Sequence, residues 1–86
     1  MASILITGGA GFIGKNFVRH WHAHHPDDRL VVLDALSYSG NLMGLEPVLA
    51  SPRCRFVHGD IGDTDLVSAL LAEEKIGRIV HFAAET

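Results

Sequence analysis

The glycine-rich stretch at residues 7–14 limits most strongly what this chain can fold into. It has the spacing Gly-x-x-Gly-x-x-Gly, follows a short apolar run at residues 4–7 and leads into an amphipathic run at residues 12–24. A glycine loop between a buried strand and a helix is typical of Rossmann-type folds, where the helix N-terminus faces a pyrophosphate. The stretch therefore predicts a nucleotide-binding turn.

Each glycine of this loop has its own expected role. Gly8 permits the tight turn, Gly11 the close approach of the pyrophosphate, and Gly14 the packing of helix on strand. A glycine-rich turn without a ligand is the alternative. The spacing to Asp34, twenty residues after Gly14 and directly after a second apolar run, favours the nucleotide site.

Asp34 indicates NAD rather than NADP. Its carboxylate can accept hydrogen bonds from the adenosine ribose hydroxyls and would repel a 2′-phosphate. No Lys or Arg follows Asp34 before Arg53, so the usual partner of a 2′-phosphate is missing nearby. The alternative is that Asp34 only forms a turn or caps a helix.

Short apolar runs alternate with longer amphipathic ones along the whole chain, which is typical of βαβ units. We predict an α/β fold with a Rossmann-type doubly wound parallel sheet, of which the 86 residues form the first four strands and flanking helices. The rest of this NAD-binding domain and a substrate domain are expected to lie outside the chain. The predicted strands span residues 4–7, 30–33, 55–58 and 78–82. Three helices are predicted between them: one over residues 12–24, a short one within 41–50, and one that Asp63 caps and Gly77 ends. In the first helix, Ile13, Phe17, Val18 and Trp21 form the inward arc.

Further site residues are expected where the other strands end, because ligands of open α/β sheets lie beyond the carboxyl ends of the strands. Asp60 is predicted to bind the adenine amino group and Ile61 to line the ring, with a turn-forming Asp60 as the alternative. Residues 82–86 should face the nicotinamide side.

Other features favour structural interpretations. His20 and His24 are four apart on a helix, but no carboxylate motif accompanies them, so we predict no metal site. His81 is predicted to be a packed, hydrogen-bonded residue. Cys54 is predicted to be a structural thiol, and a single cysteine fits a reducing compartment such as the cytoplasm.

Charge and hydropathy exclude two classes of partner. The net charge of −3 and the scattered seven Lys and Arg residues argue against nucleic-acid binding. No apolar run is long enough to predict a membrane span.

The motifs resemble those of the extended short-chain dehydrogenase/reductases, and in particular the nucleotide-sugar 4,6-dehydratases of the NAD-dependent epimerase/dehydratase family. The similarity covers essentially the whole chain, which corresponds to the first quarter of such an enzyme. It rests on the glycine loop, Asp34 to Asn41, Gly59-Asp60-Ile61 and His81 to Thr86. The loop and the Gly-Asp-Ile motif are shared with sugar epimerases, whereas Tyr38 to Asn41 and the Ala-Ala-Glu-Thr ending look more like the dehydratases.

The resemblance also implies a set of site residues. Thr86 matches a hydroxyl position near the sugar. Two positions depart from the family's pattern: Ala35 stands where Lys is usual, and Thr86 where Ser is frequent. The implied cofactor contacts are Phe12, Ile13, Asp34, Ala35, Leu36, Ser37, Gly40, Asp60, Ile61, Phe82, Ala83, Ala84 and Glu85, in addition to the loop glycines.

The activity implied by the resemblance is the dehydration of dTDP-glucose to its 4-keto-6-deoxy product by a homodimeric enzyme. Hydride passes from sugar C4 to NAD and back to C6, while a proton leaves C5 and water leaves C6. That chemistry uses a Tyr-x-x-x-Lys pair and an acidic pair, and Tyr38 is followed four residues later by Leu42, so this chain lacks the catalytic set. The alternatives are an NAD-dependent 4-epimerase and a non-catalytic NAD-sensing module.

Overall fold

The described part of the computed structural model, residues 2–8, 12–35 and 45–82, forms one parallel sheet with helices packed against it. The strands lie in the order β3-β2-β1-β4, and every neighbouring pair is parallel. This arrangement confirms the predicted Rossmann-type α/β fold. The elements are β1 Ser3–Thr7, α1 Phe12–His24, β2 Arg29–Asp34, α2 Glu46–Leu49, β3 Cys54–His58, α3 Thr64–Glu73 and β4 Arg78–His81.

The two central strands are apolar on both faces, since successive strand residues point to opposite sides of the sheet. On one face Ile4 and Val32 belong to a cluster that includes Val18 of α1. On the other face Leu5 and Val31 pack in a cluster with Leu70 of α3. The sheet is therefore covered by α1 on one side and α3 on the other.

Helix α1 has the predicted bounds, but one residue of its predicted inward arc is misplaced. Val18 is fully buried, and Phe17 and Trp21 pack against the core as expected. Ile13 is 67% exposed, so its assignment to the buried face was wrong. Ile13 belongs to the first turn of α1, which follows the carboxyl end of β1, whereas Val18 lies further along the helix.

Arg53 stabilises the C-terminal end of α1 and the turn after it. Its guanidinium donates to the carbonyl oxygens of His22 and His25, both at 3.2 Å, and of Asp28 at 2.8 Å. The Asp28 carboxylate accepts from Trp21 Nε1 at 2.9 Å, and this hydrogen bond is the main reason that the pKa of Asp28 is lowered. These bonds fix the turn that leads into β2.

Two elements, α2 and β4, differ in extent from their predictions. The predicted short helix within 41–50 is present as α2, with Pro47 in its first turn, where a missing N–H costs nothing. Residues 41–44 of that prediction lie outside the described residues. Strand β4 ends at His81 rather than at Phe82, although the Phe82 N–H still donates to the Thr7 carbonyl at 2.7 Å.

Helix α3 begins as predicted and ends earlier than predicted. Asp63 is the N-cap, and its carboxylate accepts from the Leu66 N–H at 3.1 Å. The predicted end at Gly77 was wrong, because the left-handed residue is Lys75, with φ 53°. The Ile76 N–H then returns to the Leu71 carbonyl at 3.2 Å, which is the bond of a Schellman motif, and Ile76 packs against the apolar cluster below α3.

Lys75→Gly is expected to raise the free energy of unfolding of a full-length protein containing this chain by about 0.5–1 kcal/mol. Glycine removes the steric cost of the left-handed conformation, which exceeds the entropy that glycine loses on folding. Denaturant titration measures the change. Ser68→Gly, at an exposed position inside α3, is the control and should lower the free energy of unfolding by about the same amount. Loss of stability in both variants would contradict the assignment of Lys75 as the left-handed residue.

Glu74, at the end of α3, forms ion pairs with residues of β2 and β3 at the edge of the sheet opposite Asp34. Its carboxylate accepts from Arg29 Nε at 2.6 Å and from an Arg55 guanidinium nitrogen at 2.7 Å, and its side chain is 9% exposed. The hydrogen bond from Arg29 is the largest cause of the lowered pKa of Glu74, followed by that from Arg55. Because the folded-state pKa is lowered, this stabilisation is present above the ordinary pKa and is lost as the pH falls through the folded pKa.

Glu74→Gln is expected to lower the free energy of unfolding by about 1–3 kcal/mol at neutral pH, because two charge-assisted hydrogen bonds are weakened. The difference from the parent protein should shrink as the pH falls below 4.5, the ordinary value for this carboxyl. Denaturant titrations across a pH series measure both effects. A difference that stays constant down to pH 3 would show that the Glu74 charge is not what stabilises this edge.

Candidate cofactor site

The four strands end at one edge of the sheet, which brings the predicted site residues together. Thr7 pairs with Leu33 on one side and with His81 on the other, and Asp34 pairs with His58. These are the carboxyl ends of parallel strands, the edge at which ligands of open α/β sheets bind.

The glycine loop starts in the conformation that the motif requires. Gly8 has φ 72°, in the left-handed region, and its N–H donates to the Leu33 carbonyl at 2.8 Å. Helix α1 begins four residues later at Phe12, so its N-terminal N–H groups and positive dipole end lie at this edge. Gly14 is buried within α1, which agrees with its predicted role in close packing.

Asp34 is the last residue of β2 and is only 8% exposed. Its carbonyl accepts from the Gly59 N–H at 3.1 Å, which continues the ladder between β2 and β3. Asp34 thus lies at the carboxyl end of the strand next to the Gly8 turn, and a carboxylate is a strong acceptor of hydrogen bonds from hydroxyl groups.

Asp60 forms a turn through both its side chain and its backbone carbonyl. Oδ1 accepts from the Gly62 N–H at 2.8 Å, and the Asp60 carbonyl accepts from the Asp63 N–H at 2.9 Å. The turn-forming role is thus present, and Oδ2 is oriented by it without being used in these bonds. Ile61 beside it is 40% exposed.

Gly59 is a determinant of this edge that the sequence interpretation did not single out. A Cβ at this position would lie 2.2 Å from Leu66 Cδ2 and 3.2 Å from Leu33 Cδ1. Glycine therefore allows α3 to pack directly behind the end of β3. The signal in the sequence was the Gly-Asp pair, in which only the aspartate was assigned a role.

Two histidines at the ends of the outer strands were also assigned no part in the site. His58 Nε2 lies 3.0 Å from the Ala35 carbonyl, and His81 Nδ1 lies 2.6 Å from Thr7 Oγ1. His81 is hydrogen-bonded, as predicted, but exposed rather than packed, because β4 is the outer strand at this end of the described sheet. Ala35, predicted to contact the cofactor, is exposed.

Part of the predicted site falls outside the description. Phe12 begins α1, and only its backbone is described. Phe82 is half-buried and its ring packs on Phe17 with centroids 5.2 Å apart, behind the sheet edge. The predicted residues that lie outside the described part are Gly11, Leu36, Ser37, Gly40, Ala83, Ala84, Glu85 and Thr86.

The described residues give little support to a metal site, a cysteine nucleophile or a membrane-spanning helix. No group of three or more His, Cys, Asp or Glu side chains there could hold a metal ion, and His20 and His24 simply stack with ring centroids 4.2 Å apart. Burial raises the pKa of the Cys54 thiol to about 11, which makes it a poor nucleophile. Among the described helices, none has the length and apolarity needed to cross a membrane.

Comparison with known proteins identifies relatives over nearly the whole chain. The family model described as GDP-mannose 4,6 dehydratase matches residues 5–86. The dTDP-glucose 4,6-dehydratase of Mycobacterium tuberculosis is 52% identical over 83 residues, which cover 96% of this chain and 24% of that enzyme.

Solved structures give the same result. The dTDP-glucose 4,6-dehydratase of Bacillus anthracis in complex with NAD superposes with a TM-score of 0.92 at 40% identity, covering 99% of this chain and 27% of that one. The UDP-Glc/GlcNAc 4-epimerase of Campylobacter jejuni superposes with a TM-score of 0.81 at 39% identity, covering 99% of this chain and 25% of that one. The chain thus spans about a quarter of these relatives, and the resemblance found in the sequence is confirmed.

Proposed function

The chain belongs to the GDP-mannose 4,6 dehydratase family, and on that premise we propose that it forms the NAD-binding part of a dTDP-glucose 4,6-dehydratase. The observation that carries this proposal is that the left-handed Gly8 turn and the buried Asp34 carboxylate lie at the carboxyl ends of two adjacent strands. One group suits a pyrophosphate and the other suits a ribose diol.

The described residues fit NAD at each end of its adenosine diphosphate portion. The N-terminus of α1 offers backbone N–H donors to the pyrophosphate, and Gly8 keeps a side chain away from it. The Asp34 carboxylate accepts from the ribose hydroxyls, and Asp60 Oδ2 and the exposed face of Ile61 suit an adenine ring. When bound, NAD supplies a reversible acceptor of hydride from the sugar.

The remaining predicted contacts belong to the same proposal. They comprise the second half of the glycine loop, the segment after β2 and the segment after β4, with Thr86 placed near the sugar. The Tyr-x-x-x-Lys pair, which the chain lacks, and the acidic pair needed for the elimination are expected in the rest of the full-length protein.

Incubating a full-length protein containing this chain with dTDP-glucose and following the sugar by proton NMR tests the proposal. We expect the C6 methylene signals to be replaced by a methyl doublet, with no net consumption of NAD. Formation of the C4 epimer with the methylene retained would support the 4-epimerase instead, a candidate favoured by the similarity to the Campylobacter enzyme. Stoichiometric NAD binding with an unchanged sugar would support the sensing module.

We further propose that the full-length protein is a cytoplasmic homodimer. The chain has a single cysteine, Cys54, whose thiol is free and buried, and this suits a reducing compartment. Light scattering of the full-length protein tests the dimer, and a monomeric mass at micromolar concentration would contradict it.

A further inference from the structure

One imidazole nitrogen near the C-terminal end of α1 is buried without a hydrogen bond. His22 Nε2 is shielded from solvent, and none of the described residues supplies a partner for it. Buried polar atoms without a partner are rare in folded proteins, because each one costs free energy. The neutral imidazole costs less at this position than the imidazolium, since its Nε2 can be left without a hydrogen and no charge is buried.

A guanidinium lies next to this imidazole. Arg53 donates to the His22 carbonyl at 3.2 Å, and the same guanidinium donates to the carbonyls of His25 and Asp28. Burial is the larger cause that lowers the pKa of His22, and the positive charge of Arg53 is the second. A proton on His22 therefore brings a second positive charge to the group that holds the end of α1.

The surroundings of His22 offer no described carboxylate to balance such a charge. His22 lines the groove between α1 and α2 together with Pro47 and Val48. No carboxylate of the described part raises the pKa of His22. The Asp28 carboxylate accepts instead from Trp21 Nε1 at 2.9 Å. The ionisable groups on the elements around His22 are Arg19, His20 and His24 in α1, His25, Asp27 and Asp28 in the turn, Glu46 in α2 and Arg53 before β3.

We infer that His22 makes the C-terminal end of α1 an acid-sensitive segment: the neutral imidazole packs in place, whereas the imidazolium leaves it and loosens the contacts of Arg53 with the three carbonyls. This inference goes beyond the proposed function and does not depend on NAD. Because the folded-state pKa of His22 is lowered from its ordinary value of 6.5, the opened chain takes up the proton more readily than the folded one. The stabilisation is thus present above pH 6.5 and is lost as the pH falls through the folded pKa.

Hydrogen–deuterium exchange of a full-length protein containing this chain tests the inference. Protection factors, corrected for the intrinsic effect of pH on exchange, are compared at about pH 7.5 and about pH 5, which span the range in which histidine changes charge. One set of peptides covers residues 21–28, and a second set covers α3 as the internal reference.

Two replacements of His22 remove the titrating group. His22→Leu leaves no polar atom, and His22→Gln keeps a neutral polar side chain, so the test stands if one of the two does not fold. Thermal melting at about pH 7.5 shows which variants are folded. His20→Leu is the matched control, because His20 is an exposed histidine of the same helix.

In the parent protein, we expect the protection of residues 21–28 to fall at least about threefold on acidification, while that of α3 changes less than about twofold. The folded His22 variants should lose this response, with protection of residues 21–28 within about twofold at the two pH values. His20→Leu should respond as the parent protein does.

Equal protection of residues 21–28 at both pH values in the parent protein would overturn the inference. A response that persists in the His22 variants, or that disappears in His20→Leu, would do the same, because the titrating group would then lie elsewhere. A matching loss of protection in α3 would also contradict it, since the whole domain rather than the end of α1 would be responding to acid.

Discussion

Asp34→Asn is expected to weaken NAD binding about 10- to 100-fold and to strengthen NADP binding several-fold. The substitution keeps the shape of the side chain but removes the charge that accepts from the ribose hydroxyls, a loss of about 1.5–3 kcal/mol for a hydrogen bond to a charged group. It also removes the repulsion of a 2′-phosphate. Calorimetric titration of the variant full-length protein with both dinucleotides measures the change.

The matched control for this prediction is Asp27→Asn. Asp27 is exposed in the turn between α1 and β2, at the opposite edge of the sheet, so the same charge is removed far from the proposed site. Both affinities should stay within about twofold of the parent values. If the two variants behave alike, Asp34 does not bind the ribose and its burial must have another explanation.

Gly8→Ala is expected to reduce both the stability and the NAD affinity of the full-length protein. Alanine at φ 72° costs about 1–2 kcal/mol, and relieving that strain would pull the Gly8 N–H away from the Leu33 carbonyl. The added methyl group would stand at the start of the pyrophosphate loop, and we expect NAD affinity to fall by at least about tenfold. Denaturant titration and calorimetry measure the two effects separately.

Gly77→Ala is the control, because this glycine has neither a left-handed conformation nor a close neighbour at the Cβ position. Gly77 does not have a positive φ, and a Cβ there would meet nothing within 4 Å. Its free energy of unfolding should be unchanged or about 0.5 kcal/mol higher, with NAD affinity retained. Equal destabilisation by the two alanines would mean that the conformation of Gly8 is not what the loop depends on.

The fold was largely predictable because its signals are local. The two central strands are continuous apolar runs, and the apolar residues of α1 repeat with the helical period between the glycine loop and the turn at Pro26, so both bounds of α1 were predicted correctly. The side-chain cap at Asp63 is likewise a contact between near neighbours in the chain.

What failed depended on contacts between distant residues. Gly77 looked like the helix end, yet Ile76 must reach the apolar cluster with Leu71, which forces Lys75 into the left-handed conformation. Ile13 fitted the helical period of the inward arc, but the period does not say how far along the helix the sheet extends.

The same limit applies to the site. Gly8 and Asp34 were assigned from their spacing and Asp60 from its place at the end of a strand, and the structure brings them to one edge of the sheet. The role of Gly59 depends on its close approach to Leu66 and Leu33, which the Gly-Asp pair in the sequence does not show by itself.

The most direct test of the account is a titration of the unmodified full-length protein with NAD and with NADP, monitored by calorimetry at one pH. The account predicts one NAD bound per chain with an affinity well above that for NADP, because the Asp34 carboxylate that we propose as the ribose acceptor would repel a 2′-phosphate. Tighter binding of NADP, or no binding of either dinucleotide, would contradict it.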